Sequence, residues 1–194
     1  FWRTIFNDLE KEALLVPDYW TKVSRHDPFA IFQSLAREVE NCHYLDRAMY
    51  VDTKTWLPDD VLVKVDRATM ASSLEARAPF LDHRLVEFCA SLPVSWKIHG
   101  NNKKKLLKRS QRNRLPQKSL RRSKKGFNAP VSPWLSGPLQ GFFKQLTSSP
   151  ILLQYINPKG IDELWKNHLS GEQDNSYKIF GISCLSYWLA SRSD

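Results

Sequence analysis

A chain of 194 residues, 42% hydrophobic and 12% aromatic, is long enough to bury one sizeable core, and it contains no apolar run of bilayer-crossing length. The wide spacing of Cys42, Cys89 and Cys184 excludes a disulfide framework and a C-x-x-C site, and five scattered histidines offer no ligand pair, so no metal site is expected. The net charge of +9 hides a segregation: Phe88 through Ile161 contains no Asp or Glu but 15 of the 29 Lys and Arg residues, while the flanks together carry −6, a field that favours a polyanionic partner.

The chain opens on FWRTIFNDL, with neither an initiator methionine nor the succession of a signal peptide, so an internal start within a longer protein is expected. FWRTIFNDLEKEALL has helical spacing, which Pro17 ends. DPFAIFQSLAREVEN reads as a second helix, with Asp27 as its cap and Pro28 in the first turn. Its Phe29, Phe32, Leu35, Ala36 and Val39 share one face and are expected in the core. CHYLDRAMYVDTKTW reads as a third helix, whose Tyr50 and Trp56 suit either packing or a pocket wall, with packing preferred.

LPDDVLVKVDRATM then reads as a helix with its start written in. Pro58 suits a first helical position, and Asp59 and Asp60 place negative charge at the positive end of the dipole. Val61, Leu62, Val65, Ala68, Thr69 and Met70 form an apolar face expected to be core, while Lys64 and Arg67 project from a more polar side. In EARAPFLD, Glu75, Arg77 and Asp82 sit among small and apolar residues, where charges need partners or a ligand. Asp82 reads most simply as the N-cap of HRLVEFCASL. Glu75 and Arg77 suit a buried ion pair, and Asp66 and Arg67 a polar helix edge.

Pro93 closes that element, and VSWKIHGNN reads as a turn or extended connection broken at Gly100. NKKKLLKRSQRN is expected to be a basic helix docked by Leu106 and Leu107, with Lys103, Lys104, Lys105, Lys108, Arg109 and Arg112 fanned around it. LPQKSLRRSKKGFNAPVSPWL reads mostly as loop, because Pro116, Gly126, Pro130 and Pro133 punctuate it. A lysine held in such a loop can stabilise charge developing on phosphate and carbonyl oxygens, and Lys124 is the first choice; the plainer reading of RRSKK is a solvated basic loop.

The tail from Ser149 is expected to hold three helices, started at Ser149–Pro150, Asn157–Pro158 and Asp174 or Asn175, with Gly171 as a stop. The last carries an apolar band of Tyr177, Ile179, Phe180, Ile182, Leu185, Trp188 and Leu189, wide enough to be packed on several sides. No repeat appears, and no linker is long enough to divide the chain into independent domains.

The wording LPDDVLVKVDRATMASSLEARAPFLDHRLVEFCASLP, followed further along by RRSKKGFNAPVSPWL, resembles the synthetase domain of glutamine-hydrolysing asparagine synthetase, most clearly over Leu57 to Leu135. The resemblance implies that residues 1–194 are the C-terminal part of that domain: mainly α here, completing an α/β ATP-pyrophosphatase-type fold whose parallel sheet binds ATP. It implies ATP-dependent conversion of aspartate to asparagine through an acyl-adenylate, with ammonia from glutamine and assistance from magnesium. By position in the family pattern, Lys124 is the catalytic lysine and is favoured over Lys125, Lys105 and Lys125 meet phosphate, and Arg67 and Arg77 orient oxygens, with Asp66 and Glu75 holding those arginines. The family's amino-terminal cysteine nucleophile and its S-G-G-x-D-S pyrophosphate loop have no counterpart in this sequence, so a missing glutaminase domain and loop are expected upstream, and the fragment is expected to be inactive alone.

A cytoplasmic location without membrane contact follows from reduced cysteines and short apolar runs, and a homodimer is compatible with the family. Relatives that amidate other carboxylates or close lactam rings are the nearest alternative. A basic helical nucleic-acid-binding module ranks third, because no aromatics interleave the charges between Lys103 and Lys125.

Overall fold

The computed structural model describes residues 4–123 and 129–192. They are mainly helical, and their one sheet is a two-stranded antiparallel hairpin. The described residues divide into two compact units, 4–27 with 129–192 and 28–123, where the sequence suggested no internal division.

The first unit holds the buried apolar core. Its helices are α1 (Asp8–Leu14), α2 (Pro17–Val23), α10 (Val131–Leu135), α11 (Gln140–Thr147), α12 (Pro158–Leu169) and α13 (Ser176–Ala190). α1 starts in a reciprocal cap: Asn7 accepts from the Glu10 N–H, and the Glu10 carboxylate accepts from the Asn7 N–H. Leu15 is extended ahead of Pro17, as expected. Backbone bonds from Val16 N–H to the Tyr155 carbonyl and from Asn157 N–H to the Leu14 carbonyl staple the α1–α2 junction to the start of α12. Asn157 caps α12 by accepting from the Lys159 N–H. A Cβ on Gly160 would lie 3.0 Å from Leu14 Cδ1, so the missing side chain is what lets α12 approach α1.

Leu135, Leu152, Ile156, Ile179 and Ile182 are the most enclosed apolar side chains, and Trp165 packs with them while its indole N–H donates to Thr147 Oγ1 at 3.0 Å. Two expectations for this part change. The Ser149–Pro150 start, which follows α11, produces only a 3-10 turn at Leu152–Gln154 where a helix was expected. On α13 the inward side is built from Ser176, Ile179, Ile182, Ser183 and Ser186, whereas Tyr177, Phe180, Leu185, Tyr187 and Trp188 are exposed. Small residues permit the close contact of α13 with α10, α11 and α12, and Ser186 seals it by donating to the Leu146 carbonyl at 2.7 Å.

The second unit runs through α3 (Ala30–Glu38), α4 (Tyr44–Lys54), a wide π-type turn at Leu57–Leu62, α5 (Val63–Met70), a 3-10 turn at Pro79–Leu81, α6 (His83–Ser91), α7 (Val94–Lys97), strands β1 (Ile98–His99) and β2 (Asn102–Lys103), α8 (Lys105–Ser110) and α9 (Gln117–Arg121). Pro28 and Phe29 make a turn before α3 begins at Ala30, so the cap predicted at Asp27 does not mark the helix start. VSWKIHGNN divides into the helical turn α7 and the hairpin, with Gly100 at φ +54° between the strands, a left-handed conformation natural to glycine. The segment read as loop contains α9 and α10 as well, with Pro116 and Pro130 at their N-caps, where a ring and a missing N–H do no harm.

Among the described residues, no apolar side chain of this second unit is fully buried. The faces expected in the core are only partly buried: Phe29, Leu35, Ala36, Val39 and Val61 are half-buried, Phe32, Leu62, Val65 and Met70 are exposed, and Phe80 in the 3-10 turn reaches 67%. The spacing that made these faces apolar is present, but among the described residues the unit covers them only in part.

Candidate functional site

Lys124 and Lys125 lie outside the described residues. The remaining sequence-predicted site residues belong to the second unit. Asp66 and Arg67 are neighbours on α5, both exposed, and adjacent helical positions point away from each other, so Asp66 does not pair with Arg67. Lys64 instead approaches Asp60 at 3.7 Å, one helical turn back. Glu75 and Arg77 do form a pair, Arg77 Nη2 donating to Glu75 Oε2 at 3.0 Å, but the side chains are 74% and 87% exposed, where a buried pair was expected. Asp82 caps α6 as predicted, accepting from the Arg84 N–H at 3.0 Å. The Arg84 guanidinium, gripping both carboxylate oxygens, is the main reason the Asp82 carboxyl titrates below its ordinary range.

Lys105 opens α8 and donates to the Ser95 carbonyl at 3.2 Å. It lies on one side of an open cleft of about 420 Å³ that also receives Lys108, Arg109, Arg112 and, from α9, Arg121. Lys105, Lys108 and Arg109 recur at three- and four-residue spacing within α8, so one face of the helix supplies them, and Arg112 joins from the turn that follows Ser110. That spacing was a legible signal separating the three helical cations from Lys103 and Lys104. Arg121 was hidden because its segment read as loop. Of the two leucines expected to dock α8, Leu106 is half-buried and Leu107 exposed.

Other charged groups are spent on the fold. Lys97 donates to Asp46 at 2.7 Å and to the Ala90 carbonyl at 2.9 Å, joining α7 to α4 and the end of α6. Tyr50 donates its hydroxyl to Glu38, which raises the phenol's pKa and ties α4 to α3. In the first unit Ser136 Oγ lies 3.3 Å from His168 Nε2, and Asp174 Oδ1 lies 3.5 Å from His168 Nδ1. The order serine, histidine, aspartate suggests a nucleophile, but the setting is structural. The imidazole is 2% exposed, Asp174 Oδ1 already accepts from the Ser176 N–H, and the 530 Å³ cleft of this unit, against Lys144, Asp162 and Trp165, does not include the three. Hydrogen bonding from Ser176 is the leading cause of the lowered Asp174 pKa.

Among the described residues, no three His, Cys, Asp or Glu side chains converge to hold a metal, the three cysteines are free thiols, and no helix is long and apolar enough to cross a membrane.

The second unit thus presents an open cleft lined by lysines and arginines with no carboxylate among its lining residues. Comparison with known proteins is specific: the family model described as asparagine synthase matches residues 3–190, and the chain belongs to that family. It is 29% identical over 184 residues to asparagine synthetase [glutamine-hydrolyzing] 1 of Bacillus subtilis, covering 95% of this chain and 28% of the relative. It is 32% identical over 145 residues to a putative asparagine synthetase [glutamine-hydrolyzing] of Mycobacterium bovis, covering 74% and 22%. It is also 31% identical over 113 residues to amidase chyE of Penicillium rubens, covering 55% and 17%. The chain thus spans about a quarter of the length of the first two relatives. No solved structure matches it.

Proposed function

We propose that this chain is the C-terminal part of the synthetase domain of a longer, glutamine-hydrolysing asparagine synthetase. The match to the asparagine synthase family from residue 3 to residue 190 carries the reading. In it, ATP joins the side-chain carboxylate of aspartate, giving an acyl-adenylate and pyrophosphate. Ammonia released from glutamine then attacks the acyl carbon, giving asparagine and AMP. The parallel sheet of an ATP-pyrophosphatase-type domain, the pyrophosphate loop and the glutaminase domain belong to the remainder of the protein, and the whole acts in the cytoplasm.

Within this chain Lys124 stabilises the negative charge that develops on phosphate and carbonyl oxygens, a contribution of several kcal/mol (roughly 3–4) in preorganised sites. Lys105 and Lys125 meet phosphate. Arg67 and Arg77 present planar donors to carboxylate or phosphate oxygens, and the 3.0 Å contact of Glu75 with Arg77 supports a role for Glu75 in steadying that guanidinium. The cationic, acid-free lining around Lys105 suits ATP's phosphates as a substrate group. Magnesium would shield those phosphates and travel with the nucleotide.

The uncovered apolar face of the second unit supports incompleteness. Val65, Met70, Leu74, Phe80 and Phe88 are all exposed, and burying each would contribute about 1.5–3 kcal/mol. In our reading the upstream part of the synthetase domain covers them. The test is ATP–pyrophosphate exchange: the longer protein catalyses it with aspartate and the isolated chain does not, whereas full activity of the isolated chain would sink the proposal. The similarity to amidase chyE favours a second reading, in which the same chemistry serves another carboxylate. Turnover of the longer protein with aspartate against a panel of other acids separates the two.

A further inference from the structure

The cleft of the first unit, about 530 Å³, lies between α11 and α12. Pro158, Ile161, Asp162, Trp165, Lys166 and Leu169 recur at three- and four-residue spacing, so one face of α12, about 16 Å of rise, forms one wall. Lys144 and Thr147 of α11 line the other, and Leu153 joins from the 3-10 turn. The bond from the Trp165 N–H to Thr147 Oγ1 ties the two helices together. It also satisfies the one polar atom of the indole, so the ring offers the cleft only apolar surface. With Leu153, Ile161 and Leu169 this makes an apolar lining, in a volume within the usual range of about 300–1,000 Å³ for small-molecule sites.

The charges select the rest of the ligand. Lys144 Nζ stands 5.8 Å from the Trp165 ring centroid, a cation–π contact that occupies it within the fold. That leaves one acid and one base. Asp162 and Lys166 are exposed, one helical turn apart (about 6 Å of rise), and neither has a partner among the described residues. The same acid-before-base arrangement closes to 3.7 Å at Asp60–Lys64. A ligand that carries a cation and an anion close together on an apolar body answers all three features at once. A phosphate would meet Asp162 as a repelling charge, and a metal ion would find a single carboxylate beside an ammonium, so neither suits the cleft.

We propose that the α11–α12 cleft binds a free α-amino acid with an apolar side chain, its ammonium on Asp162, its carboxylate on Lys166 and its side chain against Trp165. None of the residues assigned to the synthetase reaction lines this cleft, and the site does not rest on that reading.

The experiment is calorimetric titration of the full chain with L-leucine and four analogues. Glycine lacks the side chain, 4-methylpentanoate the ammonium and 3-methylbutylamine the carboxylate, while N-acetyl-leucinamide stands for a leucine within a peptide. Leucine is expected to bind saturably, with each analogue weaker by about tenfold or more, as loss of a charge-assisted bond or of the buried side chain implies. Asp162→Asn weakens leucine by about tenfold or more and leaves 4-methylpentanoate unchanged, whereas Lys166→Gln weakens leucine as much and leaves 3-methylbutylamine unchanged. The control Lys159→Gln/Glu163→Gln, which removes exposed charges of α12 outside the cleft, retains the binding. Unchanged circular dichroism certifies each variant as folded, and loss of structure would not produce this charge-matched pattern. Absence of saturable leucine binding to the wild-type chain, an analogue as tight as leucine, or an equal loss in the control overturns the assignment; equal binding of N-acetyl-leucinamide would give the cleft to a peptide segment instead. Failure here leaves the synthetase reading intact, and failure of aspartate turnover leaves this site intact.

Discussion

Replacing Ser183 by leucine tests the inverted face of α13. Ser183 is 1% exposed and donates to the Ile179 carbonyl at 2.8 Å, on the side of the helix that meets α10, α11 and α12. Leucine there adds bulk to a packed contact, at about 1–3 kcal/mol. For a unit of this size each kcal/mol moves Tm by about 4–8 °C, so the expected fall is about 5–20 °C. The counter-substitution is Trp188→Ser. That indole is 51% exposed, with the Arg192 guanidinium 5.4 Å from its centroid, an exposed cation–π contact of about 0.5–1 kcal/mol. Its loss is expected to lower Tm by only a few degrees, roughly 2–8 °C. Thermal unfolding followed by near-ultraviolet circular dichroism on the full chain ranks the two. If Ser183→Leu is neutral and Trp188→Ser collapses the fold, the aromatic band packs inward and the described orientation of α13 is wrong.

Other consequences are equally open to measurement. Thr147→Val removes the acceptor of the buried Trp165 N–H and is expected to cost about 1–3 kcal/mol in urea unfolding, with Thr147→Ser restoring most of it; an unchanged midpoint contradicts the bond. The Lys178 ammonium, more than the Asn7 N–H, holds the Glu10 carboxyl below its ordinary 4.5. Because the folded value is the lower one, this contribution is complete above pH 4.5 and disappears as pH falls through the folded pKa, so Glu10→Gln flattens the acid limb of stability; coincident acid curves contradict it. A double-mutant cycle on Glu75 and Arg77 is expected to give under about 1 kcal/mol and to shrink with salt, and a large, salt-insensitive coupling shows the pair is enclosed.

Local chemistry was the most legible part of the sequence. Asp82, Asn157, Pro17 and Gly171 act where side-chain caps, a proline ring and a left-handed glycine predict boundaries, because each decision involves neighbours in the chain. Burial was less legible, since an apolar stripe states only that a partner is wanted. On α3 and α5 the stripe is covered only in part among the described residues. On α13, apolar residues occupy so many positions that hydropathy cannot choose a face, and the close approach of neighbouring helices selects the serines. Proline misled in the other direction at Pro116 and Pro130, where punctuation suggested loop and each begins a helix. For the candidate site, charge segregation pointed to Phe88–Ile161, but only folding brought Arg121 opposite the α8 row.

The most direct test of the central claim is aspartate- and ATP-dependent pyrophosphate release by the longer protein, wild type against Lys124→Ala. The account predicts turnover with aspartate and a loss of roughly a hundredfold or more in the variant, as for removal of a charge-stabilising donor. Turnover that requires a different acid, or a Lys124→Ala protein as fast as the wild type, would contradict it.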